Sequence, residues 1–501
     1  MALINSIASW FMKKRMHQIE LFMKYPHDVQ DEWQSKLIRA GRDTEFGKKH
    51  DFSSISSYPD FKEQIPLQDY ETLKPLIERV RRGEQNILWN SDIKWFAKSS
   101  GTTDKSKFLP VSKESLDGCH YKGGRDMVTL HCVNNPDTEL FTGKNLALGG
   151  SHQTQYTGNY ESYHGDVSAI VIQNLPVWAE YFRAPELEIA LLENWDEKLD
   201  KMARATMQEN VTSMAGVPSW MLVLTRRILQ YKNATSIKEI WPNLEVYFHG
   251  GVSFTPYQNQ FKKLFEGSGV KYMQIYNASE GFIGLQDQPN SEEMLLMLDY
   301  GIFYEFIPQQ EINNVNPKVY HIAEVDTETI YEVVITTNAG LWRYRLGDTI
   351  QFTSLSPYRF IITGRTKHYI NVFGEELMIH NAEQALKIAC EKTHALVSEY
   401  TVSPLFTDEN QGKHQWLIEF EKEPNNVDFF TEVLDKTLKQ INSDYEAKRY
   451  NNYVIKPPEV KSLPNGTFYK WLNSKNKLGG QYKVPRLQNN NTISNEVLAL
   501  I

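Results

Sequence analysis

The sequence predicts an α/β protein in which a large N-terminal domain precedes a small C-terminal α+β domain. Residues 244–280 read as strand, helix and strand, which predicts a βαβ unit with parallel strands and a right-handed crossover. From residue 294 apolar residues alternate along short segments, a pattern typical of an antiparallel sheet or barrel. Beyond residue 365 the pattern changes to helix, two strands and helix, which predicts the small domain.

Composition excludes several classes of protein. The chain has 501 residues, of which 41% are hydrophobic and 23% charged, as in a globular protein of two or three domains. A formal net charge of −8 argues against a nucleic-acid partner, because such partners are held by neutralising phosphates. Three cysteines without metal-type spacing suit a reducing compartment, and no segment has the apolar length of a membrane span. We therefore expect a cytoplasmic protein.

The N-terminal region, up to about Ile93, reads as helical and carries no chemical motif. Its first apolar run, residues 3–12, is followed by the basic residues 13–15, which is the wrong order for a secretory signal. We expect a helix packed on the main body, and a helix lying on a membrane surface is the alternative.

A polar loop lies between two short apolar runs, residues 93–97 and 108–111. Backbone N–H groups and hydroxyls donate to phosphate oxygens, a glycine allows close approach, and lysines supply countercharge. The loop is neither a Walker motif nor GxGxxG, and by itself it is equally compatible with an ordinary polar hairpin. The candidate phosphate-binding residues are Ser99, Ser100, Gly101, Thr102, Thr103 and Lys107.

Two helix starts follow this loop. Ser112 is a good N-cap, and Pro218 suits the first turn of a helix that runs through Trp220. Residues 212–216 read as the turn before that helix. Met214 and Trp220 could line an apolar substrate pocket, although ordinary core packing is the favoured interpretation.

The βαβ unit predicts a binding edge. Its first strand ends at Gly250 and Gly251, and its second strand ends in the segment 277–280. Because both strands are parallel, both loops reach the carboxyl edge of the sheet, where ligands bind in open α/β folds. Glu280 at that edge is either a carboxylate that contacts a metal or ligand, or a surface residue.

Further along the chain, a strand from Leu341 leads into the corner Gly347-Asp348. A carboxylate there can accept from two ribose hydroxyls, although Gly-Asp is also a common turn. The small domain should contain a helix at 382–392, strands at 395–402 and 415–420, and a helix at 427–447. A glycine-bearing loop near its end carries Lys483.

With these pieces in order, the chain resembles the adenylate-forming superfamily. Within it, the chain resembles a bacterial-type member of the auxin-responsive acyl acid–amido synthetases, the Gretchen Hagen family. The resemblance covers nearly the whole chain and rests on four ordered motifs: Ser99–Thr103 with Lys107; Tyr276, Asn277, Ala278, Ser279 and Glu280; Tyr344–Asp348; and Gly364–Lys367. Two features depart from the pattern: Asp104 stands where a glycine is usual, and plant members lack a clear counterpart of Gly364-Arg365.

The resemblance implies residue roles and two domains, 1–365 for ATP and acyl-acid binding and 366–501 as a small mobile domain. The first loop would hold the phosphates of ATP. The segment Tyr276–Glu280 would contact adenine, with Gly250 and Gly251 beside it and Glu280 near Mg²⁺. Asp348 would bind the ribose, with Arg365 assisting. Lys367 would be the hinge of the small domain, and Lys483 would reach the α-phosphate.

The implied reaction is ATP-dependent adenylation of a carboxylic acid, followed by transfer of the acyl group to an amine or amino acid. AMP and pyrophosphate are released. The first alternative is transfer to a thiol, as in acyl-CoA ligases, after the same adenylation. The second is a non-catalytic nucleotide-binding protein, which predicts ATP binding without pyrophosphate release.

Overall fold

The computed structural model describes residues 2–99, 107–157, 160–251, 254, 258–312, 314–366, 369–375, 377–406, 411–452, 454–475 and 484–501. Within these ranges the predicted α/β class is confirmed. No described helix is both long and apolar enough to cross a bilayer. The helices are α1 (Ala2–Lys24), α2 (Pro26–Gly41), α3 (Glu45–Lys49), α4 (Tyr58–Gln64), α5 (Tyr70–Arg81), α6 (Lys113–Ser115), α7 (Tyr121–Asn134), α8 (Val167–Gln173), α9 (Val177–Phe182), α10 (Leu187–Ala190), α11 (Trp195–Thr206), α12 (Pro218–Lys232), α13 (Gln258–Leu264), α14 (Ile379–Thr393), α15 (Val427–Ile441), α16 (Ser443–Arg449), α17 (Thr467–Ser474) and α18 (Thr492–Leu498).

The strands form a twelve-stranded sheet and three smaller sheets. They are β1 (Trp95–Ser99), β2 (Lys107–Val111), β3 (Lys144–Leu148), β4 (His152–Thr157), β5 (Tyr160–Gly165), β6 (Arg183–Ala184), β7 (Val211–Gly216), β8 (Val246–Gly250), β9 (Lys271–Ala278), β10 (Gly281–Leu285), β11 (Met294–Leu296), β12 (Ile302–Pro308), β13 (Tyr320–His321), β14 (Ile330–Thr337), β15 (Tyr344–Leu355), β16 (Tyr358–Arg365), β17 (Tyr369–Ile370), β18 (Leu377–Met378), β19 (Leu396–Phe406), β20 (Gly412–Lys422) and β21 (Glu459–Leu463).

The large sheet joins a parallel half to an antiparallel half. Its order is β13-β12-β14-β15-β16-β11-β10-β9-β8-β7-β3-β6. Strands β6, β3, β7, β8 and β9 are parallel, and every pairing from β9 to β13 is antiparallel. The predicted βαβ unit is therefore present as β8, α13 and β9, and the predicted antiparallel strands continue the same sheet.

Residues 212–216, which read as a turn from the sequence, instead form most of β7. Thr212 and Ser213 gave the segment its polar appearance. Their hydroxyls are satisfied inside the fold, because Thr212 donates to the carbonyl of Leu140 at 2.6 Å and Ser213 donates to the amide oxygen of Asn145 at 3.1 Å. Ser112 caps the helix that follows it, and Pro218 begins α12, as predicted.

The C-terminal part has the predicted helix, two strands and helix, together with helices α17 and α18, which were not predicted. The segment 427–447 is two helices, because Asn442 is extended (φ −138°, ψ 106°) and its side chain accepts a hydrogen bond from the N–H of Tyr445. Strand β21, which the sequence reading did not include, pairs in parallel with β20.

The N-terminal helix packs on the main body, as predicted. Arg15 is 4% exposed and donates to Asp126 at 2.6 Å and to Asp299 at 2.6 Å. Tyr300 also donates to Asp126, at 2.7 Å. Because removing one partner from a buried ion pair leaves an uncompensated charge, this network ties α1 firmly to α7 and to residue 299.

Candidate active site

The carboxyl ends of four neighbouring parallel strands, β3, β7, β8 and β9, lie along one edge of the large sheet. Gly250 and Gly251 follow this edge directly. A Cβ atom at Gly250 would lie 2.3 Å from the carbonyl oxygen of Ile275, and Gly251 has a φ of +80°. Only glycine fits the first position, and glycine is strongly favoured at the second.

The predicted Tyr276–Glu280 motif forms the end of β9 and the turn that follows it. Ala278 pairs with Gly281 across the β9–β10 hairpin, so Ser279 and Glu280 are its two turn residues. Glu280 is half-buried at the tip. The tight turn fixes where the backbone presents this carboxylate.

Tyr276 and Asp348, from two different motifs, are in direct contact. The phenol of Tyr276 donates a hydrogen bond to Oδ2 of Asp348, and the residues are 7% and 5% exposed. Their strands, β9 and β15, are separated in the sheet by β10, β11 and β16. At about 4.8 Å per strand, a flat sheet would place them roughly 19 Å apart. The antiparallel half must therefore curl back toward β9.

Asp348 also faces the fourth motif. It is the register partner of Arg365 across β15 and β16, and the carbonyl of Gly347 accepts from the N–H of Thr366 at 2.7 Å. The sequence predicts a strand that ends in a corner here, whereas Gly347 and Asp348 lie inside β15, where its pairing with β14 shifts register. Gly347 has a φ of +83°, which favours glycine at this irregularity. The backbones of the third and fourth motifs are thus held together.

The first motif lies between two strands, as predicted. Strands β1 and β2 are antiparallel, and Ser99 pairs with Lys107 at the base of the loop. The ammonium of Lys107 lies 5.8 Å from the centre of the Tyr70 ring. The predicted site residues that lie outside the described part of the chain are Ser100, Gly101, Thr102, Thr103, Lys367 and Lys483.

The two candidate pocket residues have different surroundings. Met214 is 0% exposed in the core on β7. Trp220 lies in the first turn of α12, and the ammonium of Lys448 from the C-terminal part is 4.7 Å from its ring. Nearby, Arg227 donates to the hydroxyl of Tyr450 at 3.0 Å. A role in substrate binding stays a prediction for both residues.

Two residues without a predicted role in the site contact the Tyr276–Glu280 motif, and one of them, His120, is predicted from the sequence to be a solvated or core histidine. Cys119 and His120 end a single turn of π-helix, residues 116–120. Nδ1 of His120 lies 3.0 Å from Oδ1 of Asn277, and the N–H of Phe282 donates to the sulfur of Cys119 at 3.0 Å. Burial lowers the pKa of His120 to about 4, so the ring is neutral at pH 7. No local sequence pattern predicts a contact between residues that are 157 positions apart.

Two further features bear on ligands. A cavity of about 560 Å³ lies at the opposite edge of the parallel strands, around Glu245 and Lys271, and no predicted site residue lines it. Glu245 accepts there from the hydroxyl of Thr138 and from the N–H of Glu139, which anchors the loop after α7. In the described part of the chain, no group of three or more His, Cys, Asp or Glu residues is placed to hold a metal.

The fold matches that of two solved ligase structures. The structure matches a GH3.15 acyl acid amido synthetase with a TM-score of 0.62 and 18% identity, covering 97% of this chain and 95% of that one. It also matches 2-hydroxyisobutyryl-CoA ligase with a TM-score of 0.58 and 13% identity, covering 94% and 91%.

The sequence is matched by three family domains. Residues 15–270 match the GH3 family N-terminal domain, residues 295–365 its central domain, and residues 380–492 its C-terminal domain. The chain belongs to the GH3 family. It is 23% identical to the indole-3-acetic acid-amido synthetase GH3.3 of Arabidopsis thaliana, over 94% of this chain and 91% of that protein.

Proposed function

We propose that this chain is an AMP-forming ligase, which adenylates a carboxylic acid with ATP and transfers the acyl group to an amine or amino acid. The observation that carries the proposal is the meeting of Tyr276 and Asp348 at the carboxyl edge, in a chain that GH3 domains match along most of its length. The relative and the structural neighbour named as amido synthetases support the choice of an amine acceptor.

The chemistry requires alignment and positive charge more than a protein nucleophile. The acid is ionised at pH 7, so its oxygen attacks the α-phosphorus of ATP, and the bond to pyrophosphate breaks. Charge that develops at phosphorus needs preorganised donors. We assign Lys483 to the α-phosphate, and the Ser99–Thr103 loop with Lys107 to the leaving phosphates.

The nucleotide itself would be held by the contacts at the sheet edge. Segment 276–280 would contact adenine beside Gly250 and Gly251, and Asp348 would accept from the ribose with Arg365 assisting. Mg²⁺ is usually held by one or two carboxylates together with substrate phosphates. Glu280 fits that pattern, because it is one carboxylate at a tight turn.

In the second half-reaction the amine nitrogen attacks the acyl carbon, AMP leaves, and the nitrogen loses a proton. We propose that the small domain, 366–501, turns about Lys367 between the half-reactions. Gly364-Arg365 supports a bacterial-type member of the family, and the composition supports a cytoplasmic protein without a nucleic-acid partner.

The test is exchange of pyrophosphate into ATP, screened over aryl, indole and aliphatic acids. We expect exchange that depends on the acid, because adenylation is reversible. Products are then analysed with amino acids and, separately, with coenzyme A. Amide formation supports the proposal, thioester formation establishes the CoA-ligase alternative, and ATP binding without any exchange would overturn both.

A further inference from the structure

Two consecutive residues of the π-turn contact two residues that are partners in the β9–β10 hairpin. Asn277 and Phe282 are paired across the hairpin. His120 contacts the side chain of Asn277 at 3.0 Å, while Cys119 accepts from the N–H of Phe282 at 3.0 Å. The segment enclosed by this pair, residues 278–281, is the turn that carries Glu280.

The π-turn and α7 both pack against the hairpin, and α7 approaches it most closely. A Cβ atom at Gly123, near the start of α7, would lie 2.4 Å from the ring of Phe282. A Cβ atom at Gly281 would lie 3.6 Å from the sulfur of Cys119. Single π-turns are uncommon and occur frequently at functional sites. Close packing on both strands therefore leaves the hairpin base little freedom.

The contact between His120 and Asn277 has a defined direction. His120 is 4% exposed and neutral, and because an amide oxygen can only accept, the contact with Oδ1 of Asn277 requires the tautomer in which Nδ1–H donates. An Asn whose oxygen is held in this way has a fixed amide plane, and its two N–H donors point away from the histidine. The side chain of Asn277 is thus oriented before any ligand arrives.

We propose that Cys119 and His120 form a clamp that positions the turn 278–281 for nucleotide binding. His120 is a positioning residue that acts through Asn277. This inference rests on the proposed function for its ligand, ATP. The clamp holds the turn in its bound geometry in advance, so its loss weakens ATP binding without removing any group that contacts the reacting atoms.

The test compares His120→Leu with His120→Asn, using calorimetry for the Kd of ATP with Mg²⁺ and thermal unfolding for stability. We expect His120→Leu to weaken ATP binding by about three- to tenfold, the scale of one neutral hydrogen bond. His120→Asn keeps a donor near the Nδ1 position and should restore most of the affinity. Turnover at saturating ATP should change much less than the KM.

A matched control is His131→Leu, on α7, the helix that directly follows the π-turn. His131 is also buried and lies 3.4 Å from Glu245 at the opposite edge of the sheet. The His131→Leu substitution should lower the Tm about as much as His120→Leu does and leave the affinity for ATP unchanged. If His120→Leu does not fold, Cys119→Ala tests the other half of the clamp by the same measurements.

A double-mutant cycle tests whether His120 affects ATP affinity through Asn277. Adding His120→Leu to Asn277→Ala should cost no further ATP affinity, and additive losses would overturn the role of Asn277. Wild-type affinity in His120→Leu or in folded Cys119→Ala would overturn the clamp, as would absence of ATP binding by the wild-type protein. ATP binding without acid-dependent pyrophosphate exchange would overturn the proposed function and leave the clamp to be judged on affinity.

Discussion

The phenol of Tyr276 donates to the carboxylate of Asp348 across 72 positions of sequence and three intervening strands. This bond fixes one oxygen of Asp348 in a buried position. A carboxylate offers about four lone-pair sites, so one bond from a phenol leaves acceptor capacity for ribose hydroxyls. The pair therefore links the proposed adenine segment to the proposed ribose residue.

Asp348→Asn should raise the KM for ATP about tenfold and change kcat at saturating ATP less than about threefold. The reason is that ribose contacts are the same in the ground state and the transition state, so their loss weakens binding uniformly. Steady-state kinetics with varied ATP measure both values. Tyr276→Phe keeps the ring and should reproduce part of the increase, whereas an unchanged KM in Asp348→Asn would remove the ribose role.

Lys483→Ala should lower adenylation by roughly 10²–10³-fold, the scale for one preorganised electrostatic donor. ATP affinity should barely change, and an acyl adenylate supplied from outside should still give amide. Pyrophosphate exchange and single-turnover amide formation measure the two steps. Lys475→Ala is the control, because Lys475 forms an exposed ion pair with Glu496 at 2.7 Å. Wild-type adenylation in Lys483→Ala would refute the assignment.

Lys448→Met should increase the rate of limited proteolysis between residues 363 and 374. The ammonium of Lys448 is 2% exposed and lies over the Trp220 ring, so the substitution removes a cation–π contact between the two proposed domains. A desolvated contact of this kind contributes up to about 2 kcal/mol, which predicts up to roughly thirtyfold faster cleavage. Lys439→Met, which removes an ion pair within the C-terminal part, should not change the rate. Equal rates in both variants would contradict a mobile boundary held by this contact.

His249→Leu should flatten the pH dependence of stability. Burial lowers the pKa of His249 to about 3, and its Nδ1 has no hydrogen-bond partner among the described residues. In the unfolded chain the ring is protonated below about pH 6.5, whereas in the folded protein it stays neutral down to about pH 3. The free energy of unfolding therefore falls as the pH decreases from about 6.5 toward 3. Removing the group should reduce that slope by up to about 1.4 kcal/mol per pH unit.

Urea titrations at pH 8, 6 and 5 measure this slope. His17→Gln is the control, because the side chain of His17 is 72% exposed and should contribute little. Identical slopes for wild type and His249→Leu would contradict burial of a neutral ring.

The sequence predicted the elements whose patterns are local. Apolar runs and glycines predict the βαβ unit and the strands β1 and β2, and a helix-starting proline, Pro218, predicts the beginning of α12. Strand β7 was misread because Thr212 and Ser213 look like turn residues until their distant acceptors are known. The segment 427–447 was likewise misread as one helix, because Asn442 caps the start of α16 inside a sequence pattern that is helical throughout.

Motifs such as Tyr276–Glu280 and Gly347-Asp348 carry their chemistry within a few residues, so they can be recognised in the sequence, and their roles stay predictions. The contact between His120 and Asn277 cannot be recognised in this way, because the two residues are 157 positions apart. The curl of the sheet that brings Tyr276 to Asp348 is a property of many strands together. Packing of this kind is set by tertiary structure, and no single segment encodes it.

The buried pairing of Arg15 has a consequence for synthesis of the chain. Its partner Asp299 follows 284 residues later. At about 5–20 residues per second, the first helix leaves the ribosome roughly 15–60 s before that carboxylate exists. During this interval the apolar residues Ile19 and Phe22, both buried in the finished fold, have no complete surface to cover them. Until residue 299 has been made, α1 therefore exposes apolar side chains that the finished fold covers.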